Sequence, residues 1–235
     1  MKKAIFLFDY TGIMAKPWAD AGYLCYCFDG QHPEGVTPSD HPNILNVGIW
    51  FNDSFTPNLS GEDVYTIMNI TGKGVCFVFG FPECTDLAVS GAAHFSKKKL
   101  KDPQFQDKAM VLVRLTQLLG SALGCPFALE NPVSVISTKW RKPNYSFHPW
   151  EYGGYLPEDD IHPLYHDYIK PRDAYPKKTC IWSGNGFVMP EKRPVKVEPG
   201  YSDQHKKLGG KSLKTKNIRS ATPRGFAQAV FEANS

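Results

Sequence analysis

The segment of residues 74–95, GVCFVFGFPECTDLAVSGAAHF, limits the possible folds more than any other part of the chain. It begins with an apolar run at residues 75–79, which is typical of a buried strand. Gly80 and Pro82 end that strand, and Cys84 follows at its carboxyl end. Ligands of open α/β sheets bind at the carboxyl ends of the strands, so this position suits a nucleophilic thiol. The alternative is that Cys84 is a small buried side chain, which is common for cysteine.

The length and composition are those of a globular protein with one substantial core. The chain has 235 residues, of which 42% are hydrophobic and 13% aromatic. No apolar run approaches the roughly 20 residues that cross a bilayer, so no membrane segment is expected. The apolar start at residues 4–8 ends at Asp9 with no cleavage site after it. This pattern favours a first strand over a signal peptide.

The cysteines and histidines follow neither a disulfide nor a metal-binding pattern. Cys25 and Cys27 are two residues apart, and the other four cysteines are isolated. Because no export signal is present, we expect all six to be reduced thiols in a cytoplasm. His162 and His166 are four residues apart, but no third ligand lies at a recognised spacing, so no metal is expected.

The first 29 residues predict a β-turn-α-β unit. Strands are predicted at residues 3–8 and 23–28, with a short helix at 17–21 between them. The turn before the helix contains Gly12, and Asp29 follows the second strand. A glycine turn lets a nucleotide-like ligand approach closely, and a carboxylate after the second strand can accept hydrogen bonds from ribose hydroxyls. The alternative is an ordinary α/β unit with a polar loop.

A later helix and strand extend this arrangement. Residues 104–123 carry an apolar stripe at helical spacing and are followed by Gly124, and a strand is predicted at 125–129. Glu130 comes directly after that strand. Successive βα units form a parallel sheet whose strand ends share one rim, so we expect Glu130 and Cys84 to face one cleft. Alternatively, Glu130 could cap a helix or form a salt bridge.

Lysine-rich and aromatic segments occupy other parts of the chain. Residues 91–102 are polar and rich in lysine, which predicts a mobile loop over the cleft. After residue 136 the sequence is rich in aromatic, proline and basic residues, as in loops that stack bases and contact phosphates, or in a proline-rich packed lobe. Residues 192–224 contain ten basic and two acidic side chains. Such a tract suits a polyanion, and an ordinary solvated segment is the alternative.

These patterns predict three parts. Residues 1–136 are expected to form an α/β domain that holds the cleft, and residues 137–217 an irregular recognition region with some core elements. One of those elements is a strand at 178–182. Residues 218–235 are expected to form a C-terminal helix that packs back on the α/β domain.

The order of these features resembles that of the cytosine-5 DNA methyltransferases, especially the compact members encoded by phages. The matching pieces, in chain order, are Phe8-Asp9-Tyr10-Thr11-Gly12 with Asp29, then Phe81-Pro82-Glu83-Cys84-Thr85, then Glu130-Asn131-Pro132. Residues 222–227 are similar to the segment that closes the cofactor domain of that family. The chain departs from the family pattern in the turn at 8–12, at Glu83, which replaces a second proline, and at Pro132, which replaces a valine.

The resemblance implies a Rossmann-like fold of the S-adenosylmethionine-dependent methyltransferases with a small irregular recognition lobe. It implies that Cys84 adds to C6 of cytosine and that Glu130 holds the N3/N4 edge of the base. The cofactor would be S-adenosyl-L-methionine, bound by Asp9, Thr11, Gly12, Asp29 and Pro82. The partner would be DNA in a bacterial or phage-infected cell, contacted by Ser90, Arg141, Lys211 and Arg219. No oligomeric state is implied.

Two other functions stay open at this point. The short recognition region would also suit a transferase that modifies a free pyrimidine nucleotide. The altered turn at residues 8–12 would suit a catalytically silent protein that binds DNA or the cofactor and regulates other proteins. The presence of both Cys84 and Glu130 argues against the silent protein.

Overall fold

The computed structural model describes residues 1–51, 61–200, 202–210 and 212–235, which form two compact units. The first unit comprises Met1–Ser146 and Thr179–Phe187, and the second comprises Phe147–Lys178 and Val188–Ser235. The chain therefore passes to the second unit after residue 146 rather than 136. It returns to the first unit for the strand that was predicted near residue 180.

The described residues contain an eight-stranded mixed sheet. Its strands are β1 Lys3–Leu7, β2 Leu24–Phe28, β3 Gly35–Pro38, β4 Ile44–Gly48, β5 Val75–Gly80, β6 Phe127–Pro132, β7 Tyr145–Phe147 and β8 Thr179–Gly184. Their order across the sheet is β3-β4-β2-β1-β5-β6-β8-β7. The five neighbours from β4 to β6 are parallel, whereas β3 pairs antiparallel with β4 and β8 antiparallel with β6. The predicted α/β class with a parallel sheet is confirmed at this level.

The strand β3 was not predicted from the sequence. It forms an antiparallel hairpin with β4, and its residues are mostly exposed. An edge strand of this kind has neither an apolar run nor a buried alternating face. Gly35 and Pro38 also make the segment resemble a loop, since both residues are depleted in strands.

The helices are α1 Lys16–Asp20, α2 Gly61–Thr71, α3 Phe95–Lys101, α4 Phe105–Leu123, α5 Ile136–Lys139, α6 Asp203–Lys207, α7 Leu213–Ser220 and α8 Arg224–Asn234. The longest, α4, ends at Gly124 with a φ of 64°, as the sequence predicted. Gly120 lets α4 lie directly on the sheet, because a Cβ there would be 2.5 Å from the Cβ of Phe127. No helix in the described part of the chain is long and apolar enough to cross a membrane.

The sheet of the first unit is covered on both faces, because alternate side chains of a strand point to opposite sides. On one face Ile5 and Leu7 of β1 join a core that includes Leu115 and Leu119 of α4. On the other face the rings of Trp18 and Phe77 stack with centroids 4.3 Å apart, and Phe6 packs beside them. Because the strands from β4 to β6 run parallel, their carboxyl ends lie at one rim of this buried sheet.

Residues 91–102 form helices rather than the predicted mobile loop. A 3₁₀ helix at Val89–His94 leads directly into α3. The rings of Phe95 and Phe105 lie 5.8 Å apart and hold α3 against the start of α4. The lysine-rich composition did not predict this short helix, because lysine is common both in helices and in exposed loops.

The second unit has its own aromatic core. The ring of Phe226 from α8 stacks on Phe147 at 4.0 Å and packs edge-on against Tyr152 at 5.1 Å. The buried carboxylate of Asp173 accepts a hydrogen bond from the Gly225 amide at 2.9 Å, at the start of α8. The terminal helix was expected to pack on the α/β domain. In the structure α8 belongs to the second unit, because its apolar face completes that unit's core.

Candidate active site

The carboxyl ends of β1 and β5 flank the point where the strand order of the sheet reverses. From β1 the chain continues to β2 and β4 on one side, whereas β5 and β6 lie on the other. Ligands of open α/β sheets bind in the crevice at this switch point. Residues 9–12 follow β1 and residues 81–90 follow β5. They are called the cofactor turn and the nucleophile loop after the roles that the resemblance implies for them. The Phe81 amide donates to the Leu7 carbonyl oxygen at 2.9 Å, so the two segments are neighbours.

The carboxylate of Asp9 builds the cofactor turn. Its Oδ1 accepts hydrogen bonds from the Gly12 amide at 2.9 Å and from the Thr11 hydroxyl at 3.1 Å. Gly12 has a φ of 65°, a conformation that glycine adopts without strain. Asp9 is only 3% exposed, and its Oδ2 has no hydrogen-bond partner among the described residues. A buried carboxylate thus shapes this turn through one oxygen, while its other oxygen is shielded from solvent and has no hydrogen-bond partner among the described residues.

Asp9 and Asp29 form a pair of acids at the ends of neighbouring strands. Burial is the main cause that raises the pKa of Asp9 to about 6; the negative charge of Asp29 acts in the same direction, and the hydrogen bonds from Gly12 and Thr11 act against it. Burial likewise raises the pKa of Asp29, and the charge of Glu83 adds to the effect. The Oδ1 of Asp29 accepts from the Gln31 amide at 2.8 Å. Two poorly solvated carboxylates side by side favour a cationic ligand and disfavour a phosphate.

An exposed indole lies next to Asp29 and was missed by sequence reasoning. Trp50 is 81% exposed, yet one face of its ring packs on Gly30, where a Cβ would come within 2.3 Å of the ring. On the neighbouring loops the rings of Tyr10 and His32 stack at 5.4 Å. Tyr10, which replaces a glycine of the resembled family, is therefore held by a ring of the adjacent loop.

The nucleophile loop turns sharply at Cys84. The Cys84 carbonyl oxygen accepts hydrogen bonds from the amides of Leu87 at 3.0 Å and Ala88 at 2.8 Å. Cys84 is partly exposed and is not in a disulfide, while Pro82 before it is buried. The Thr85 hydroxyl donates to the Glu83 carboxylate at 2.6 Å. The predicted nucleophile therefore sits on a structured turn with access to solvent.

Strand β6 and the nucleophile loop are joined by a buried side chain. The Asn131 amide donates to the Pro82 carbonyl oxygen at 2.9 Å, and Asn131 is 1% exposed. Beyond β6, the Val89 amide donates to the Val133 carbonyl oxygen at 3.0 Å. Glu130 precedes Asn131 and is partly exposed. The structure therefore brings the segments of Glu130 and Cys84 together at one rim.

Glu130 lies within β6 rather than after it. The sequence predicted a strand at 125–129, but β6 continues to Pro132 because antiparallel β8 pairs along its whole length. Glu130 is opposite Ile181 in that ladder. Its backbone is consequently fixed on one side by a neighbouring strand. The sequence could not show this, because β8 lies about 50 residues further along the chain.

Two further side chains hold the outer side of the nucleophile loop and were not recognised in the sequence. Lys98 of α3 donates to the Thr85 carbonyl oxygen at 2.9 Å and also pairs with the Asp86 carboxylate. Gln106 of α4 donates to the Asp86 carbonyl oxygen at 3.3 Å. Both residues occur among other polar residues in the sequence, so only the structure shows that they contact this loop.

The four predicted DNA-contacting residues lie in different places. Ser90 is exposed at the end of the nucleophile loop. Arg141 stacks on Trp140 at 4.5 Å and donates to the Ser183 carbonyl oxygen at 2.9 Å, so its guanidinium is engaged within the fold. Arg219 is exposed in the second unit, and Lys211 lies outside the described residues. Of the two that the structure describes in the first unit, Ser90 lies on the segment of Cys84 and Arg141 does not.

His162 is a buried residue whose ring is hydrogen-bonded to the backbone. It is 1% exposed, and its Nδ1 accepts hydrogen bonds from the amides of Leu164 at 3.2 Å and Tyr165 at 3.0 Å. Burial lowers its pKa to about 4, so the ring is neutral at physiological pH. Within the described ranges no group of three or more His, Cys, Asp or Glu side chains is placed to hold a metal ion.

Replacing Asn131 by leucine is expected to loosen the nucleophile loop. The buried Pro82 carbonyl oxygen would lose its donor, which costs about 1–3 kcal/mol of unfolding free energy. Displacement of the Cys84 segment should also lower turnover at least about tenfold. Urea unfolding measures the first effect, and an assay of the methyl transfer that the resemblance implies measures the second. Asn43→Leu is a matched control, because the Asn43 amide donates to Ala19 at 3.0 Å away from the site; it should lose stability but keep turnover. Equal turnover in both variants would contradict the prediction.

Comparison with solved structures finds similar chains, and the one described next is distant in sequence. A solved structure from E. coli, described as a candidate DNA modification methyltransferase encoded within a prophage, is similar to this chain with a TM-score of 0.42 and 13% sequence identity. The similarity covers 86% of this chain and 53% of that one, so the chain spans about half the length of that protein. No protein-family model and no curated protein matches the chain.

Proposed function

We propose that this protein is an S-adenosylmethionine-dependent methyltransferase that modifies C5 of cytosine in DNA through a covalent adduct with Cys84. The hydrogen bond from Asn131 to the Pro82 carbonyl oxygen carries this proposal. This bond joins β6, which contains the candidate catalytic residue Glu130, to the loop that contains Cys84. A thiol and a carboxylate held at the switch point of an α/β sheet suit covalent chemistry on a polar ring.

The sheet supports the Rossmann-like form of the fold. Five parallel strands reverse their order between β1 and β5, as in doubly wound sheets that bind nucleotide-like ligands. The antiparallel β8 follows β6 at one side and extends the sheet beyond the parallel block. The first unit would then hold the cofactor and the catalytic residues, and the second unit would serve as the small recognition lobe.

The cofactor turn and its surroundings fit S-adenosylmethionine. The sulfonium and ammonium groups of this cofactor are positive, and the buried Asp9 Oδ2 and the nearby Asp29 offer negative charge. Asp29 would accept hydrogen bonds from the ribose, and the open face of Trp50 beside it offers a surface for the adenine. Pro82 would border the methionine end. When bound, the cofactor supplies an electrophilic methyl group to C5 of the base.

Cys84 and Glu130 would activate the cytosine. Addition of the Cys84 thiolate to C6 turns C5 into an enamine-like nucleophile, because the electron pair of the C5–C6 double bond moves toward N3. Glu130 would bind the N3/N4 edge and stabilise the protonated ring as that charge develops. Once C5 carries the methyl group and the cofactor has become the neutral thioether, the C5 proton passes to water as a base, the C6–S bond breaks, and the departing Cys84 thiolate leaves an aromatic ring. Both side chains are partly exposed, as a base that enters from solvent would require.

The surface beside the nucleophile loop favours a polymeric substrate. The three exposed lysines of α3, Lys97, Lys99 and Lys101, lie on the helix that Lys98 connects to this loop. Backbone phosphates on either side of a target base would be attracted to such a surface, and a free nucleotide has too few phosphates to use it. Because C5 of a paired base is out of reach, the base would leave the duplex to enter the site.

Transfer of a tritiated methyl group from S-adenosylmethionine tests the proposal, with duplex DNA, single-stranded DNA and dCMP compared side by side. We expect label on DNA, located at C5 of cytosine, and a loss of at least about 100-fold in Glu130→Gln. Label on dCMP alone would make the protein a nucleotide-modifying enzyme. A folded protein that labels none of the three acceptors would contradict transferase activity and favour a binding role.

A further inference from the structure

Lys98 connects α3 to the peptide that follows the candidate nucleophile. Its ammonium donates to the Thr85 carbonyl oxygen at 2.9 Å and pairs with the Asp86 carboxylate. These two acceptors belong to the residues directly after Cys84. A single side chain therefore fixes both the backbone and a charged group of this turn.

The surroundings of Lys98 differ from those of an ordinary surface lysine. Its side chain is 32% exposed, whereas Lys97 and Lys99 on either side are exposed. Its ammonium also lies 5.9 Å from the centre of the Phe105 ring. Three groups of different kinds, namely a carbonyl, a carboxylate and an aromatic ring, thus confine one cation. Restraining a flexible lysine costs side-chain entropy, so the contacts must outweigh that cost.

The inner and outer sides of the nucleophile loop are held in different ways. On the inner side Asn131 and the Val89–Val133 hydrogen bond tie it to β6 and its extension. On the outer side Thr85 is exposed, and the described contacts there come from Lys98 and Gln106. Removing the charged contact would loosen this side, where only the longer Gln106 hydrogen bond among the contacts named here would remain, while β6 still held the inner side.

From these contacts we infer that Lys98 is a positioning residue, which holds the turn at Cys84 in the geometry needed for attack on the base. The catalytic part of this inference rests on the proposed function. Lys98 would act through Thr85 and Asp86 rather than by touching the substrate. A displacement of about 1 Å at a nucleophile can cost roughly 100-fold in rate, so a contact beside Cys84 matters more for turnover than for stability.

Three variants test this role. Lys98→Met removes the cation and keeps the length of the side chain, and Lys98→Arg keeps a cation that can reach both acceptors. Lys108→Met is the matched control, because Lys108 forms an ion pair with Asp102 at 2.6 Å. The two lysine side chains have similar exposed fractions, 36% for Lys108 and 32% for Lys98. For each variant, kcat and KM for DNA are measured, together with hydrogen exchange of the Leu87 and Ala88 amides that bond to Cys84.

We expect Lys98→Met to lower kcat at least about tenfold with KM for DNA changed less than about twofold, and to speed exchange of the two amides. Lys98→Arg should recover at least half of kcat, and Lys108→Met should match the wild type. If Lys98→Met kept both kcat and slow exchange, the inference would be overturned. Hydrogen exchange needs neither DNA nor cofactor. Faster exchange in an enzyme that transfers no methyl group would therefore uphold the positioning role while refuting the proposed function.

Discussion

Replacing Cys84 by serine is expected to lower methyl transfer to DNA by roughly 10³-fold or more, because the hydroxyl is a far weaker nucleophile toward C6. Binding of S-adenosylhomocysteine should change little, since Cys84 lies on the loop after β5 and the acids Asp9 and Asp29 follow β1 and β2. Radiolabel transfer and calorimetry measure the two quantities. DNA containing 5-fluorocytosine provides a direct test, because the wild type should form a covalent complex that survives denaturation and the variant should form none.

A second cysteine provides the control for this experiment. Cys76 is on β5, toward its amino end, and its thiol donates to the Lys3 carbonyl oxygen at 3.3 Å. A serine hydroxyl can make the same hydrogen bond, so Cys76→Ser should retain activity and the covalent complex. If Cys84→Ser still transferred methyl groups at a rate close to that of Cys76→Ser, the covalent mechanism would be wrong.

Replacing Asp9 by asparagine is expected to stabilise the fold and weaken cofactor binding. Burial raises the pKa of Asp9 from 3.8 to about 6, so ionised Asp9 destabilises the folded state near neutral pH. Asparagine keeps an oxygen for the Gly12 amide and removes the charge. We expect the free energy of unfolding at pH 8 to rise by about 1–3 kcal/mol, and the affinity for S-adenosylmethionine to fall at least about tenfold.

The sign of the pH dependence follows from the same shift. Between pH 4 and 6 the folded state binds a proton at Asp9 that the unfolded state has already lost. The contribution of Asp9 to stability therefore increases as the pH falls from about 7 to about 4, whereas cofactor affinity decreases through about pH 6. Urea unfolding and calorimetry across this range measure both trends, which Asp9→Asn should flatten. Asp40→Asn, at an exposed site, should leave them unchanged. A loss of stability in Asp9→Asn at pH 8 would contradict the argument.

At this turn the ionised Asp9 carboxylate would lower the stability of the fold and raise the affinity for a cationic cofactor. Asp9 shapes the turn through Oδ1 and presents Oδ2 without a partner among the described residues. Its ionised form costs folding free energy and would attract a cationic cofactor. Strained or poorly solvated groups are often retained at functional sites for this kind of reason. The cofactor should accordingly raise the stability of the wild type more than that of Asp9→Asn, which a thermal shift experiment can measure.

The strand pattern and the order of polar residues at strand ends were determined by the sequence itself. Apolar runs bounded by glycine, proline and acids predicted β1, β2 and β5, because a buried parallel strand leaves a local pattern. Since parallel strands share one rim, the positions of Cys84 and Glu130 along the chain were sufficient to predict that both face one cleft. The long helix α4 was predicted for the same reason, because its apolar residues recur at helical spacing and Gly124 directly follows its last turn.

Only the tertiary structure decided which contacts hold these residues in place. The Asn131–Pro82 hydrogen bond joins residues 49 apart, and the Lys98–Thr85 bond joins residues 13 apart. Trp50 lies on Gly30 because β2 and β4 are adjacent. Likewise α8 joins the second unit through Phe226, and β8 extends β6 past Glu130. Local patterns specify a strand or helix and its buried face, but the partner of a polar side chain depends on which distant segments fold beside it, and no short stretch of sequence records that.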